Sequence, residues 1–184
     1  MAALSTAAWV AHNLGTAIGV GGSLFGQIAL EPSVRNISDR EERGKVVNDA
    51  WRRFGIVQLG ALGIMTATWF AGRTRLTGRE VSRDARALTL AKDILVGTTM
   101  ASAVGAAIAG NAMSAQREDG AIPMNAEGEA AHDSPPQAQR LGRVTDALGF
   151  LNLLAGAGVI AVTTVLSMRA GQSSRWSALS RLLP

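Results

Sequence analysis

The charged residues of this chain are separated by four long windows that contain none. These windows cover residues 1–30, 54–72, 94–116 and 147–168 of the 184 in the chain. A helix needs roughly 17–25 apolar residues to cross a hydrocarbon core of about 30 Å. The pattern therefore predicts an all-α integral membrane four-helix bundle, forming one domain over 1–184, with spans at about 7–30, 54–72, 94–116 and 147–168.

The segments flanking these windows are predicted to form amphipathic juxtamembrane helices. Glu31-Pro32 should stop the first helix, because proline disfavours helix continuation. Ser38 and Glu41 have capping-box spacing, as do Thr77 and Glu80, so a helix should lead into spans two and three. The tail places Trp176, Leu179 and Leu183 at intervals of three and four, which indicates a short interfacial helix.

The third connection, about 117–138, has a different composition. It is acidic, contains Pro123, Pro135 and Pro136, and has very few large apolar residues. Such a segment buries too little surface to offset its ordering entropy, so we expect a mobile loop. Pro136 suits the first turn of the helix that leads into span four.

The charge distribution argues against nucleic-acid binding and for a membrane. The net charge is +4, but the 18 Lys and Arg residues flank the apolar windows and do not form one patch. Five arginines lie in or beside the short connection between spans two and three, where the positive-inside bias is most reliable. We therefore expect both termini to be cytoplasmic. These arginines are Arg73, Arg75, Arg79, Arg83 and Arg86.

Small residues form stripes on two of the predicted helices. Such residues allow helices in lipid to approach closely, so the favoured interpretation is helix packing, with a self-association face or a groove for a lipid, quinone or pigment as alternatives. In the first helix they follow steps of four, three and four, and in the third they follow steps of four. They are Gly15, Gly19, Gly22 and Gly26 in the first, and Gly97, Ala101, Gly105 and Ala109 in the third.

His12 begins the first stripe and is one of two histidines in the chain. An axial haem ligand would be one role, but a second axial histidine is expected and His132 lies in the acidic loop. We therefore predict no cofactor and no metal. His12, Glu31, Asp93 and Asp146 remain candidate ligand or ion sites, against the simpler interpretation that they mark helix ends and the membrane interface.

Catalytic motifs are missing from the sequence. There is no nucleophile elbow, zinc-protease motif or phosphate-binding loop, and the chain has no Cys or Tyr. We expect a protein that is not an enzyme.

The stretch from Trp9 to Gly72 carries a family resemblance. It reads W-V-A-H-N-L-G-T-A-I-G-V-G-G, then E-P, then S-D-R-E-E-R-G-K-V-V-N-D-A-W-R-R-F-G before an apolar span. This resembles the transmembrane-protein-205-like family of small four-helix membrane proteins. His12 with Gly21 and Gly22 is also similar to the first span of copper-resistance D-type membrane proteins. Both resemblances imply a multi-pass helical protein, and neither implies an established activity.

These features together predict a non-catalytic polytopic membrane protein. It would be a structural or accessory subunit that packs, through its small-residue faces, with itself as a homo-oligomer or with a larger membrane complex. A small-solute or metal-ion transporter using His12 and the acidic residues is the main alternative, and a haem- or quinone-binding redox protein is a further one.

Overall fold

The computed structural model describes residues 2–73 and 83–179, and this part of the chain is helical, without β-strands beyond one isolated bridge. Four long helices make up most of it. They are α1 (Ala2–Phe25), α2 (Arg40–Arg73), α3 (Arg83–Ser114) and α4 (Pro136–Leu179).

The end of α1 differs from the predicted stop at Glu31-Pro32. A π-helical turn, Gly26–Leu30, follows α1, and helical geometry continues through Glu31–Ser33 and a 3₁₀ turn at Val34–Asn36. Pro32 falls in the first turn of the Glu31–Ser33 segment, where its missing N–H costs little. Ile37, which is extended, ends the helical path.

Helix α2 begins at an aspartate cap and not at the predicted Ser38–Glu41 capping box. Asp39 Oδ1 accepts hydrogen bonds from the backbone N–H groups of Glu41 and Glu42, at 2.8 and 2.9 Å. These two groups have no partner inside the helix, so the cap satisfies them. The helix then runs without interruption to Arg73, as the sequence predicts.

The other predicted juxtamembrane helices are continuous with the long ones. Helix α3 runs unbroken into its apolar part, and α4 begins at Pro136 as expected. The predicted capping pair Thr77–Glu80 lies outside the described residues, as does Leu183. The predicted tail helix is the last part of α4 as far as Leu179.

Three of the helices are long and apolar enough to cross a membrane. These are Arg40–Arg73, Arg86–Ser114 and Pro136–Arg169. Helix α1 is not among them, although the sequence predicts four spans. Its apolar residues are interrupted by His12, Asn13 and several glycines.

The helices pack mainly in two pairs, α1 with α2 and α3 with α4, and the pairs contact each other through α2–α3 and α1–α4. One buried cluster lies where α2, α3 and α4 meet, and a second lies where the acidic connection covers the ends of the helices. The first consists of Leu62, Met65, Trp69, Val96, Ala103 and Val159, and the second of Val34, Val47, Met113, Ile122, Met124 and Ala138.

The acidic connection, for which the sequence predicts mobility, contacts the helices along its path in the structure. Ile122 and Met124 are 0% and 2% exposed. Met124 N–H donates to the Arg40 carbonyl at 3.1 Å, and Arg43 Nη1 donates to the Met124 carbonyl at 2.9 Å. Gly44 provides the room, since a Cβ there would meet the Ile122 carbonyl oxygen. The loop thus binds to apolar surface supplied by α2 and α3, which its own composition does not reveal.

Candidate functional site

The glycine stripe of α1 is occupied by α2. A Cβ on Gly15 would meet the backbone of Ala61, and a Cβ on Gly19 would meet the side chain of Leu62. The remaining two glycines of the stripe receive aromatic rings of α2, so the whole predicted groove contacts a neighbouring helix. Gly22 lies against Phe54, and Gly26 lies against Trp51.

The small residues of α3 do not share one face. Gly97 and Ala101 are exposed, whereas Ala109 is buried and Gly105 lies against Leu148 of α4. An α-helix has 3.6 residues per turn, so a series in steps of four drifts by about 40° at each step. The predicted stripe therefore divides into an exposed half and a half that packs on α4.

A polar network joins all four long helices near their centre. Gln58 Nε2 donates to Ser23 Oγ at 2.6 Å and to Asn152 Oδ1 at 3.3 Å. Asn152 Nδ2 donates to the Thr99 carbonyl at 2.7 Å. Each helix contributes one of these residues, and Asn152 is 1% exposed. Ser23 and Thr99 are small polar residues within apolar helices, so no sequence signal identifies them.

His12 lies at the other end of α1 from Glu31, and its ring is buried. His12 Nδ1 is 3.0 Å from the Met65 carbonyl, so it donates there in the corresponding tautomer. Its ring lies 5.7 Å from that of Trp9 and 6.3 Å from that of Trp69. His12 Nε2 is buried and has no hydrogen-bond partner among the described residues.

Lys92 is a further residue of this region, and no motif in the sequence singles it out. It is 0% exposed, and its Nζ lies 4.0 Å from the ring centre of Trp69 and 5.1 Å from that of Trp9. The adjacent Asp93 points elsewhere: it accepts from Trp69 Nε1 at 2.9 Å and forms an ion pair with Arg73 at 2.9 Å. Lys92 is thus a buried amine held by two aromatic faces.

This arrangement leaves one cation without a counter-charge. Asp93 is matched by Arg73, and Lys92 Nζ has no hydrogen-bond partner in the described ranges. The predicted residues His12 and Asp93 are therefore brought to one end of the helices, together with Lys92. No group of three or more metal-binding side chains occurs within residues 2–73 and 83–179.

Glu31 and Asp146 lie together at the opposite end. Glu31 Oε1 accepts from Trp51 Nε1 at 3.3 Å. Burial raises the pKa of Glu31, and the nearby charge of Asp146 raises it further. Arg52 and Arg53 pair with Asp49 and not with Glu31.

A cavity of about 400 Å³ opens beside Asp146, between the acidic connection and the start of α4. It brings basic, acidic and amide side chains together. Its lining consists of Arg40, Asn125, Glu129, Ala130, Ala131, His132, Gln139, Gly142, Arg143 and Asp146.

A second groove, of about 420 Å³, runs between α1 and α4 near His12. Its hydroxyl groups are occupied by their own helices: Thr16 donates to the His12 carbonyl, and Thr163 donates to the Val159 carbonyl. The groove therefore offers a mainly apolar surface with few free donors.

The chain matches no protein-family model, no curated protein sequence and no solved structure. The site is therefore interpreted from its own geometry.

Proposed function

We propose that this chain is a non-catalytic, multi-pass integral membrane protein that acts as a self-associating structural or accessory subunit. Membrane insertion is supported by the large apolar side chains on the outward faces of the helices, which water would solvate poorly. Ile56, Ile64, Ile94, Ile108 and Phe150 are each more than half exposed.

In this proposal α1 is the fourth span of a four-helix bundle. The burial of His12 and of the α1 glycines against α2 supports it, because the polar and small residues then face protein and not lipid. An even number of spans puts both termini on one side of the membrane, and the arginines at the α2–α3 end favour the cytoplasm.

The exposed face of α3 is the observation that carries the proposed self-association. Exposed residues follow one another at alternating steps of four and three, which is the spacing of a helix–helix seam. Two small residues at its centre permit close approach of a second α3, and among the described residues no atom lies within 4 Å of a Cβ placed on Gly97. The seam consists of Leu90, Ile94, Gly97, Ala101, Val104 and Ile108.

Disulfide cross-linking in native membranes tests this seam cleanly, because the chain has no cysteine of its own. Val104→Cys should form a covalent dimer on mild oxidation, whereas Ile160→Cys, exposed on α4, should not. Adding Ala101→Leu to Val104→Cys should reduce the dimer about tenfold, as expected for the loss of close packing. Ala157→Leu makes the same change at an exposed position of α4 and should have no effect. Equal cross-linking of the two single-cysteine variants would refute the seam.

The unpaired Lys92 favours a second candidate function, a small-solute or metal-ion transporter. Ionisable side chains within membrane helices commonly mark a solute or ion pathway. Lys92→Met, His12→Ala and Asp146→Asn should then each reduce uptake into proteoliposomes. Uptake that is unchanged in all three variants would leave the structural role as the better interpretation.

A further inference from the structure

The cavity beside Asp146 is lined by both basic and acidic side chains. Glu129 and Asp146 both line the cavity, so two carboxylates face the same space. Arg143 lies in the same lining and forms no ion pair within residues 2–73 and 83–179. Arg40 is less available, since it contacts Asp133 at 3.5 Å. Arg143 therefore shares the cavity with two carboxylates, of which Glu129 also accepts a hydrogen bond from Asn125 Nδ2 at 3.4 Å.

The two amide side chains of the lining form hydrogen bonds with the surrounding backbone. Asn125 Oδ1 accepts from the backbone N–H groups of Glu127 and Glu129, at 3.1 and 2.9 Å. Gln139 Nε2 donates to the carbonyls of His132 and Ser134, at 3.1 and 2.9 Å. These bonds hold the acidic connection against α4, so the cavity is maintained without using Arg143 or Asp146.

An apolar strip continues directly from the cavity along α4. Ala147, Phe150 and Leu154 follow Arg143 at steps of four, three and four, which keeps all four residues on one face. Phe150 and Leu154 are 58% and 54% exposed. Charged groups therefore lie above a stretch of exposed hydrocarbon, at the point where the apolar part of α4 begins.

We propose that this cavity and strip bind one phospholipid with an ethanolamine headgroup. The phosphate would lie at Arg143, whose planar guanidinium can donate two parallel hydrogen bonds. The primary ammonium would lie between Asp146 and Glu129, and an acyl chain would lie along Phe150 and Leu154. This assignment rests on the proposed membrane insertion.

Ethanolamine fits the lining better than choline. A primary ammonium donates three hydrogen bonds to carboxylates, whereas a quaternary ammonium is recognised mainly by aromatic cages. The cavity lining contains no Trp or Phe. An anionic headgroup without an ammonium would satisfy Arg143 but leave the two carboxylates unpaired.

The test compares three lipids on the full chain in nanodiscs. Discs of phosphatidylcholine are prepared alone, with phosphatidylethanolamine or with phosphatidylglycerol, and the lipid retained after transfer to detergent is measured by native mass spectrometry. Phosphatidylethanolamine should be retained about tenfold more than either competitor, as expected for one or two charge-assisted hydrogen bonds. Equal retention of all three lipids would overturn the assignment while leaving membrane insertion intact.

Two variants locate the site. Arg143→Gln should abolish retention of every lipid at this cavity, whereas Asp146→Asn should remove the preference for ethanolamine over choline and keep the phosphate contact. Arg53→Gln removes an exposed guanidinium that pairs with Asp49 outside the cavity, and it should behave as wild type. Undiminished retention in Arg143→Gln would refute the site. Both cavity residues are exposed, so thermal unfolding of the variants should match wild type and show that the fold is retained.

Free phosphoethanolamine distinguishes a lipid from a soluble ligand. The assignment predicts that millimolar phosphoethanolamine leaves the thermal unfolding of the detergent-solubilised protein unchanged, because it lacks the acyl chain. Stabilisation by phosphoethanolamine without selective lipid retention would identify a soluble zwitterion as the ligand and overturn the lipid proposal.

Discussion

Gly15 and Gly21 lie about 120° apart around the same helix, and they differ in what a methyl group would meet. A Cβ at Gly15 would meet the Ala61 carbonyl oxygen and approach the Met65 backbone nitrogen. A Cβ at Gly21 would have no atom of residues 2–73 and 83–179 within 4 Å. Backbone atoms of α2 cannot rotate away as a side chain can. The distance between α1 and α2 is therefore limited by the absence of a side chain at Gly15.

Gly15→Ala should lower the free energy of unfolding by about 1–3 kcal/mol, the usual cost of overpacking a well-packed site. Gly21→Ala is the matched control and should be neutral, or stabilising by up to about 1 kcal/mol, because alanine favours the helix. Thermal unfolding of both variants in one detergent measures the difference. A Gly15→Ala protein as stable as wild type would show that α1 and α2 do not pack as described.

Glu31 makes the stability of the folded protein depend on pH. Its pKa is raised in the folded state, so the folded protein binds this proton more tightly than the unfolded chain does. The contribution of Glu31 to stability is therefore greatest below its ordinary pKa of 4.5, and it falls as the pH rises from there to the raised pKa. Above that value it should stay constant.

Glu31→Gln should remove this fall and make the protein more stable than wild type at pH 7. The glutamine carbonyl can still accept the hydrogen bond from Trp51 Nε1, so packing is retained. Melting temperatures of both proteins from pH 4 to pH 8 give the measurement. If the melting temperatures of the two proteins changed with pH in parallel, Glu31 would not be the source of this pH dependence.

At the scale of the helices, periodicity decided what the sequence could predict. The α1 stripe alternates steps of four and three, which matches the helical repeat, and its whole length faces α2. The α3 stripe uses steps of four only, and its members separate around the helix. The charge-free windows likewise predicted the long helices. How far each helix extends into its flanking segment depends on local caps, such as the Asp39 cap at the start of α2.

Long-range contacts decided what the sequence could not predict. Lys92 is buried because Trp9 and Trp69, far away in the sequence, provide aromatic faces for its amine. The acidic connection has few apolar residues, but the surface that receives Ile122 belongs to other elements. The composition of a segment therefore does not predict its burial, because burial depends on the surfaces that other elements pack against it.

Arg43 holds the acidic connection in place. It is 7% exposed, and it donates to the carbonyls of Met124 and Ile37, at 2.9 and 2.7 Å. Arg43→Ala would leave the buried Met124 carbonyl without this donor, at a typical cost of about 1–3 kcal/mol. The effect should be confined to this end of the molecule.

Hydrogen exchange over 118–135 tests that role. Wild-type protein should show slow exchange at the Met124 amide, and Arg43→Ala should accelerate it while leaving the centre of α4 unchanged. Arg52→Ala, at an exposed arginine on the same helix, should have no effect. Fast exchange throughout the connection in the wild type would instead support the mobility expected from its composition.

At the scale of the whole molecule, the proposed four spans place particular residues on particular sides. With cytoplasmic termini, position 127 lies outside the cell, position 86 lies inside, and position 160 lies within the bilayer. Because the chain contains no cysteine, single-cysteine variants carry no background. Whether the protein has four membrane spans or three depends on whether α1 crosses the bilayer.

A membrane-impermeant maleimide should label Glu127→Cys in intact cells, and it should label Arg86→Cys and Ala7→Cys only after permeabilisation. Ile160→Cys should resist the reagent under both conditions. Labelling of Ala7→Cys together with Glu127→Cys in intact cells would show that α1 does not span. If positions 7 and 86 are labelled in intact cells and position 127 only after permeabilisation, the orientation is opposite to the proposed one.

The glycines and His12 of α1 bear on the order in which the protein is assembled during synthesis. In the proposed four-span arrangement α1 is synthesised before α2, and it carries polar and small residues that α2 covers. The two helices should therefore enter the bilayer together as a hairpin. A nascent chain truncated between α1 and α2 should anchor poorly, whereas one that extends to Arg73 should be anchored.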